Sequence, residues 1–318
     1  MQKHSVRVWS SAEVHDREEE LAWKLAMLAA DSVDVDENVA AMVVNRIIDN
    51  ASVALASINR APIVTARAQA LAHAKPGGAT LFGLGNEIRV HAEWAAWANG
   101  TAVRELDFHD TFLHMEFGHP GDNICPLIAV AQQKGRSGAD LIRGVVTAYE
   151  VHVSLMKAIR LHSHKIDHVA HTGVGAAAGI GAMLGLKPEV IYQAINQTLH
   201  VCCATRQSRK GQISSWKSAA PAHSSKLAIE AVDRAMRGET APSPIYEGED
   251  SVIAWLLDGL DAHYTIELPE ADEPKRAILQ TWTKAHSAEY QAQAFIDLAF
   301  RIRDRIGDLN KIQDILIT

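Results

Sequence analysis

Between Asp167 and Leu186 the chain reads DHVAHTGVGAAAGIGAMLGL, a run in which glycine and alanine recur too often for any large side chain to keep neighbours away. Such a segment suits a central buried helix against which other helices approach almost backbone to backbone. A dinucleotide-binding reading of Gly173-Val174-Gly175 lacks context, because no strand precedes it and the third glycine of that pattern falls on Ala178. Apolar spacing elsewhere is helical: Leu21, Leu25 and Leu28 share one face, as do Val39, Val43 and Ile47, and later Leu141, Val145 and Ala148. The expected architecture is mainly α.

Local signals refine that picture. A long helix is expected over 36–58, entered through Asp34 and Asp36 at its positive end, and Pro62 suits the start of the next. Lys75-Pro76-Gly77-Gly78 should end that helix, and ATLFGLGNEIRV (79–90) alternates about a Gly-Asn turn as a small hairpin. Between 239 and 275 prolines and acids concentrate around a short helix at 252–257. The division expected is a large all-helical domain over 1–268, followed by the beginning of a smaller α/β capping domain over 269–318, its remainder absent from the chain. In that second part a helix over about 287–306 leads through Gly307 to IQDILIT, a strand pattern that needs a pairing partner.

With 47% hydrophobic residues, 318 positions can bury a full core. The formal charge of -7 supplies no basic field for nucleic acid, so an anionic ligand must be met by local cations. Met1 is followed by no signal-peptide pattern and no run of 18 apolar residues occurs, so the reading is cytoplasmic with no membrane partner. Cys125, Cys202 and Cys203 form neither a disulfide framework nor a zinc motif and read as small buried hydrophobes.

Four polar clusters carry the chemistry. VRELDFHDTFLHMEFGHPGDN (103–123) gathers His109, His114, His119, Asp107, Asp110 and Asp122 among phenylalanines, and imidazole with carboxylate is the pairing for proton transfer near neutrality. His162, His164, Lys165, Asp167, His168 and His171 precede the small-residue helix. If Asp167 caps that helix, His168 falls in its first turn, where the dipole favours neutral imidazole; His162, His164 and His171 read as surface or packing residues. TRQSRKGQISSWKSAAPAHSSK (205–226) sets Arg206, Arg209, Lys210, Lys217 and Lys226 among hydroxyls, a receiver for carboxylate or phosphate. In TWTKAHSAEYQAQAF (281–295), His286 and Tyr290 fall four apart, on one helix face. The inventory suits a small polycarboxylate losing a proton beside one of its carboxylates while hydroxide departs.

LDFHDTF and GHPGDN (106–123), KIDHVAHTG (165–173), TRQSRKGQISSWK (205–217) and HSAEYQAQAF (286–295) together resemble the MmgE/PrpD family, along the whole chain. The resemblance implies a helical main domain with a smaller α/β cap, a homodimer, and a lyase without metal, cofactor or iron-sulfur cluster. It further implies dehydration of the tricarboxylate 2-methylcitrate to 2-methyl-cis-aconitate, a step of propionate breakdown in the methylcitrate cycle, with citrate and cis-aconitate decarboxylation as related chemistries. By position it assigns Asp107, His119, His168 and Lys217 to catalysis and Thr111 and His286 to substrate binding, to which the basic and C-terminal clusters add Arg209 and Tyr290 as substrate-binding candidates. Two other classes compete: a metal-dependent phosphohydrolase built on the His109-Asp110 doublet, and an inactive helical carboxylate-binding protein.

Overall fold

The computed structural model describes residues 1–316. It is mainly helical, with short two-stranded sheets at its edges. In chain order the elements are β1 (Gln2–Arg7), α1 (Leu21–Ala30), α2 (Glu37–Ser57), α3 (Ala61–Leu71), β2 (Ala74–Thr80), β3 (Arg89–Val90), α4 (Ala92–Glu105), β4 (Phe112–Leu113), β5 (Phe117–Gly118), α5 (Ile124–Lys134) and α6 (Gly138–Ala158). They continue with α7 (Val169–Leu184), α8 (Pro188–Cys202), α9 (Trp216–Met236), α10 (Val252–Leu256), β6 (His263–Leu268) and α11 (Ala292–Ile302).

The small-residue helix α7 lies at the centre, buried from Val169 to Met183. Its glycines mark where neighbours touch backbone. A Cβ on Gly179 would stand 2.7 Å from both the Ala148 Cβ and the Gly144 carbonyl oxygen of α6; one on Gly173 would meet Ser224 of α9 at 2.6 Å, and one on Gly181 would meet Ile191 of α8 at 2.6 Å. Three helices thus close on three faces, which the lack of side chains permits. α6 is fixed at its start by a capping box between Ser137 and Asp140. β1 pairs antiparallel with β6, Gln2 opposite Leu268, and buries Val6, Ile266 and Leu268 against the main core.

Several local expectations need correction. Lys75-Pro76-Gly77-Gly78 does not terminate a helix; it lies inside β2, where a register shift between Ala74 and Ala79 absorbs it, and the hairpin pairs Ala79 with Val90 and Thr80 with Arg89. The helix expected over 287–306 is α11 alone. Its start is delayed because the Gln293 side chain accepts from the amides of Ala285 and His286 and donates to the His286 and Ala288 carbonyls, satisfying an irregular turn instead. The strand expected in 312–318 is absent from 312–316, which form neither strand nor bridge; 317 and 318 lie outside the described residues. α2 has the length and mean hydropathy (1.4) to cross a membrane. In this fold it packs against α4 and turns Arg46 and Asn50 inward.

Candidate active site

At the C-terminal end of α4 the chain turns through Leu106 into Asp107, which takes a left-handed backbone (φ 50°). Aspartate tolerates this conformation better than most residues, and here it sends the carboxylate into a nest of cations. Asp107 Oδ1 accepts from Arg104 Nη1 at 2.6 Å and from Lys284 Nζ at 2.8 Å; Lys217 Nζ lies 3.7 Å from Oδ2 and His119 Nε2 3.5 Å from Oδ1. Burial alone would raise this carboxyl group, but the charges of Arg104 and Lys284 outweigh it and hold it well below the usual range. Asp107 is therefore an ionised anchor.

His119 arrives from the other side of the β4–β5 hairpin. Its Nδ1 lies 2.9 Å from the Asp110 carbonyl oxygen, which can only accept, so Nδ1 carries the proton and Nε2 is left bare. Burial, then the charges of Arg104 and His109, hold His119 well below the ordinary imidazole range. A neutral imidazole thus presents a lone pair beside Asp107.

His168 occupies the N-cap position of α7, 5.8 Å from the His119 ring. Asp167 caps the helix through one long bond, its Oδ1 accepting from the Val169 amide at 3.4 Å, and has closer partners elsewhere. Its carboxylate accepts from Ser208 Oγ at 2.7 Å and Arg209 Nε at 2.9 Å and stands 3.0 Å from His168 Nδ1, so it orients the ring sideways. Burial would raise Asp167, but His168 and Arg209 hold it well below its usual value. Arg209 also donates to the Lys217 carbonyl at 2.6 Å, tying the basic segment to the imidazole cluster.

Seven of the eight assigned side chains thus lie in or at the margin of one neighbourhood, in different ways. Lys217 and His119 both approach Asp107, His168 lies on the far side of His119, and Arg209 stands behind His168. Thr111 is buried and donates to the Gly118 carbonyl at 3.1 Å, while its backbone exchanges two 2.8 Å hydrogen bonds with Trp282. It braces the hairpin and joins it to the 281–284 segment. Tyr290 sits at the margin, its ring 5.3 Å from Phe117. His286 does not join the cluster: its Nε2 pairs with Asp297 at 2.9 Å and its ring packs on Phe300. Because both precede α11, His286 and Tyr290 do not share the helix face that their spacing suggested.

Lys284 and Arg104 were not singled out by sequence reasoning, although both stand within the quoted clusters. Arg104 had a usable signal, three residues before Asp107 at helical spacing; Lys284 had none, since its partner lies 177 positions away. The His109-Asp110 doublet is occupied differently from a metal site. Asp110 accepts from the Gly121 amide at 2.8 Å and Tyr149 hydroxyl at 2.9 Å, and His109 Nε2 pairs with Asp122 Oδ1 at 2.9 Å. Among the described residues no three His, Cys, Asp or Glu side chains converge as ligands.

A cavity of about 330 Å³ opens beside this cluster, lined by Arg104, Asp107, Ser214, Ser215, Lys217 and Ser218. Two larger clefts, of about 620 and 720 Å³, lie around Trp9 and Trp255 and around Trp23 and Leu268, and contain none of these groups. Buried carboxylates and imidazoles beside cationic walls can hold a small anion and exchange protons with it.

Residues 19–265 match the MmgE/PrpD N-terminal domain. Over 124 residues the chain is 32% identical to the mitochondrial 2-methylcitrate dehydratase of Yarrowia lipolytica, covering 36% of this chain and 24% of that protein. It is 31% identical over 122 residues to the 2-methylcitrate dehydratase of Escherichia coli K12, with 35% and 25% covered. A probable 2-methylcitrate dehydratase of Saccharomyces cerevisiae is 30% identical over 115 residues, with 32% and 22% covered. These alignments span about a quarter of each relative's length and about a third of this chain, less than the whole-chain resemblance expected.

Proposed function

Since this chain belongs to the MmgE/PrpD family, we propose that it is a hydro-lyase that converts 2-methylcitrate to 2-methyl-cis-aconitate and water by acid/base elimination, as in propionate catabolism. The observation that carries the reading is the pair of imidazoles 5.8 Å apart, held by different partners beside a cationic cavity. His119 is the base. Its tautomer leaves Nε2 free to take the proton next to a substrate carboxylate, and its neutral state suits that task. His168 is the acid: both ring nitrogens face carboxylates, so a proton on Nε2 can be held and then given to the departing hydroxyl.

Lys217, Lys284 and Arg104 bind the substrate carboxylates and stabilise the charge that grows on the one next to the deprotonated carbon. Asp107 spaces these cations apart and keeps them in place before the substrate arrives. Arg209 holds the basic segment against His168, and Tyr290 lines the approach. The reading extends to a metal-independent reaction in a cytoplasmic homodimer, to be examined by chelation and by sedimentation.

Purified protein incubated with 2-methylcitrate should generate the ultraviolet absorbance of a conjugated alkene, and His119→Gln should abolish it while retaining the wild-type melting curve. Binding of the tricarboxylate without turnover would instead identify a carboxylate-binding protein. Citrate differs from 2-methylcitrate by one methyl group, which limits discrimination between them to about 1–3 kcal/mol.

A further inference from the structure

Asp122 belongs to the GHPGDN segment, in a short 3-10 turn over Pro120–Asn123, and is almost completely buried. One oxygen, Oδ1, is held at 2.9 Å by His109 Nε2. The other, Oδ2, has no hydrogen-bond partner and lies 3.9 Å from His168 Nε2, itself buried and unpartnered. Two orphaned polar atoms, one an acceptor and the other a nitrogen able to carry a proton, therefore face each other across less than 4 Å of protein interior. Leaving such atoms unpaired is costly; 3.9 Å is beyond hydrogen-bond reach, but a proton on Nε2 would attract Oδ2, and an approach of about 1 Å would pair both.

We propose that Asp122, held by His109, is the positioning residue of the His168 acid: it receives Nε2–H when His168 is charged and releases that edge of the ring when the proton leaves. This rests on the acid role given to His168 above. The surroundings favour a fixed anion in that place. Burial would raise Asp122, but His109, His168 and Arg104 hold it well below the usual carboxylate range, so it remains an electrostatic support and does not take the proton itself. His109 adds rigidity, its ring stacked 4.9 Å from His119, so the same carboxylate links the elements that carry both imidazoles. The other charged or titratable groups around His168 are Asp167 at Nδ1, with Arg209 behind it, and the His119, His162, His152 and His171 rings. Asp167 thus fixes one nitrogen and Asp122 governs the other.

The test is Asp122→Asn, compared with His109→Gln and with wild type. Loss of the anion should lower kcat for 2-methylcitrate dehydration by 10²- to 10³-fold with KM changed less than threefold, because Asp122 does not reach the cavity. His109→Gln, which keeps a hydrogen-bond donor to Oδ1, should retain most of the wild-type rate. Long-range proton–nitrogen spectra of the imidazoles at pH 7 supply a readout independent of turnover: in Asp122→Asn the His168 Nε2 signal should move toward that of an unprotonated ring nitrogen. Unchanged kcat, or an unchanged His168 signal in a folded variant, overturns the proposal. So does an equal loss of kcat and of substrate affinity, which would mark a merely structural residue. Absence of dehydration by the wild-type protein would sink the enzymatic reading instead, and the spectra would still decide whether Asp122 governs His168.

Discussion

Lys284 Nζ donates to both the side chain of Asp107, at 2.8 Å, and its carbonyl oxygen, at 2.6 Å, across 177 positions of sequence. The two partners respond differently to their shared burial: desolvation lowers the Lys284 ammonium further than Asp107 can hold it up, whereas Asp107 is held ionised with help from Arg104. The pair is therefore secured chiefly from the carboxylate side.

Replacing Lys284 by glutamine removes a cation from the site and leaves Asp107 with Arg104 as its close partner. The expected loss is 10²- to 10³-fold in kcat/KM, or about 3–4 kcal/mol, with a stability cost of roughly 1–3 kcal/mol. Steady-state kinetics and urea melts measure both; a kcat/KM within threefold of wild type would remove Lys284 from substrate binding.

His119 sets the acid side of the pH profile. Its proton affinity lies well below the ordinary imidazole value of 6.5, so the base stays deprotonated as the medium is acidified past that point. The kcat/KM for the free enzyme should stay level from pH 8 down through 6.5 with respect to this base. A loss of activity centred at 6.5 in wild type, coinciding with protonation of the His119 ring followed by its nuclear magnetic resonance signals, would contradict the assignment.

The α6–α7 contact should tolerate almost no added volume. Gly179→Ala would place a methyl group 2.7 Å from the Ala148 Cβ and the Gly144 carbonyl. The helices must then separate, at a cost of roughly 1–3 kcal/mol or more, offset only in small part by the better helix propensity of alanine. A variant as stable as wild type in denaturant titration would show that the crossing is looser than described.

Far from the site, Glu247 is buried beneath the N-terminus of α1, where it accepts from the Leu21 amide at 2.6 Å near Glu20. Burial is the main cause that pushes its carboxyl group up to about 7 from 4.5. A raised carboxyl contributes stability that is complete below the unfolded value and declines as pH rises through the folded one. The protein should thus lose on the order of 2–3 kcal/mol from this group between about pH 4.5 and 7. Glu247→Gln, which keeps an acceptor for Leu21, should flatten that part of the stability curve and raise the melting temperature at pH 8. An unaltered pH dependence would refute it.

The sequence by itself determined where the helices run and which of them must be central. The periodicity of Leu21, Leu25 and Leu28 and the glycines of 173–181 are local properties of the chain, and local geometry obeys them. It also marked the segments that carry Asp107, His119, His168 and Lys217, because clustered imidazoles, acids and cations are visible without coordinates. Only the tertiary structure decided which charges meet. That Lys284 reaches Asp107, that Asp167 holds Arg209 as well as the start of α7, that Gln293 delays α11 and sets His286 with Asp297, and that Asp110 is spent on Tyr149 all depend on long-range closure. A side chain's partner there is chosen by burial, since each polar atom removed from water must find another from whatever part of the chain folds beside it.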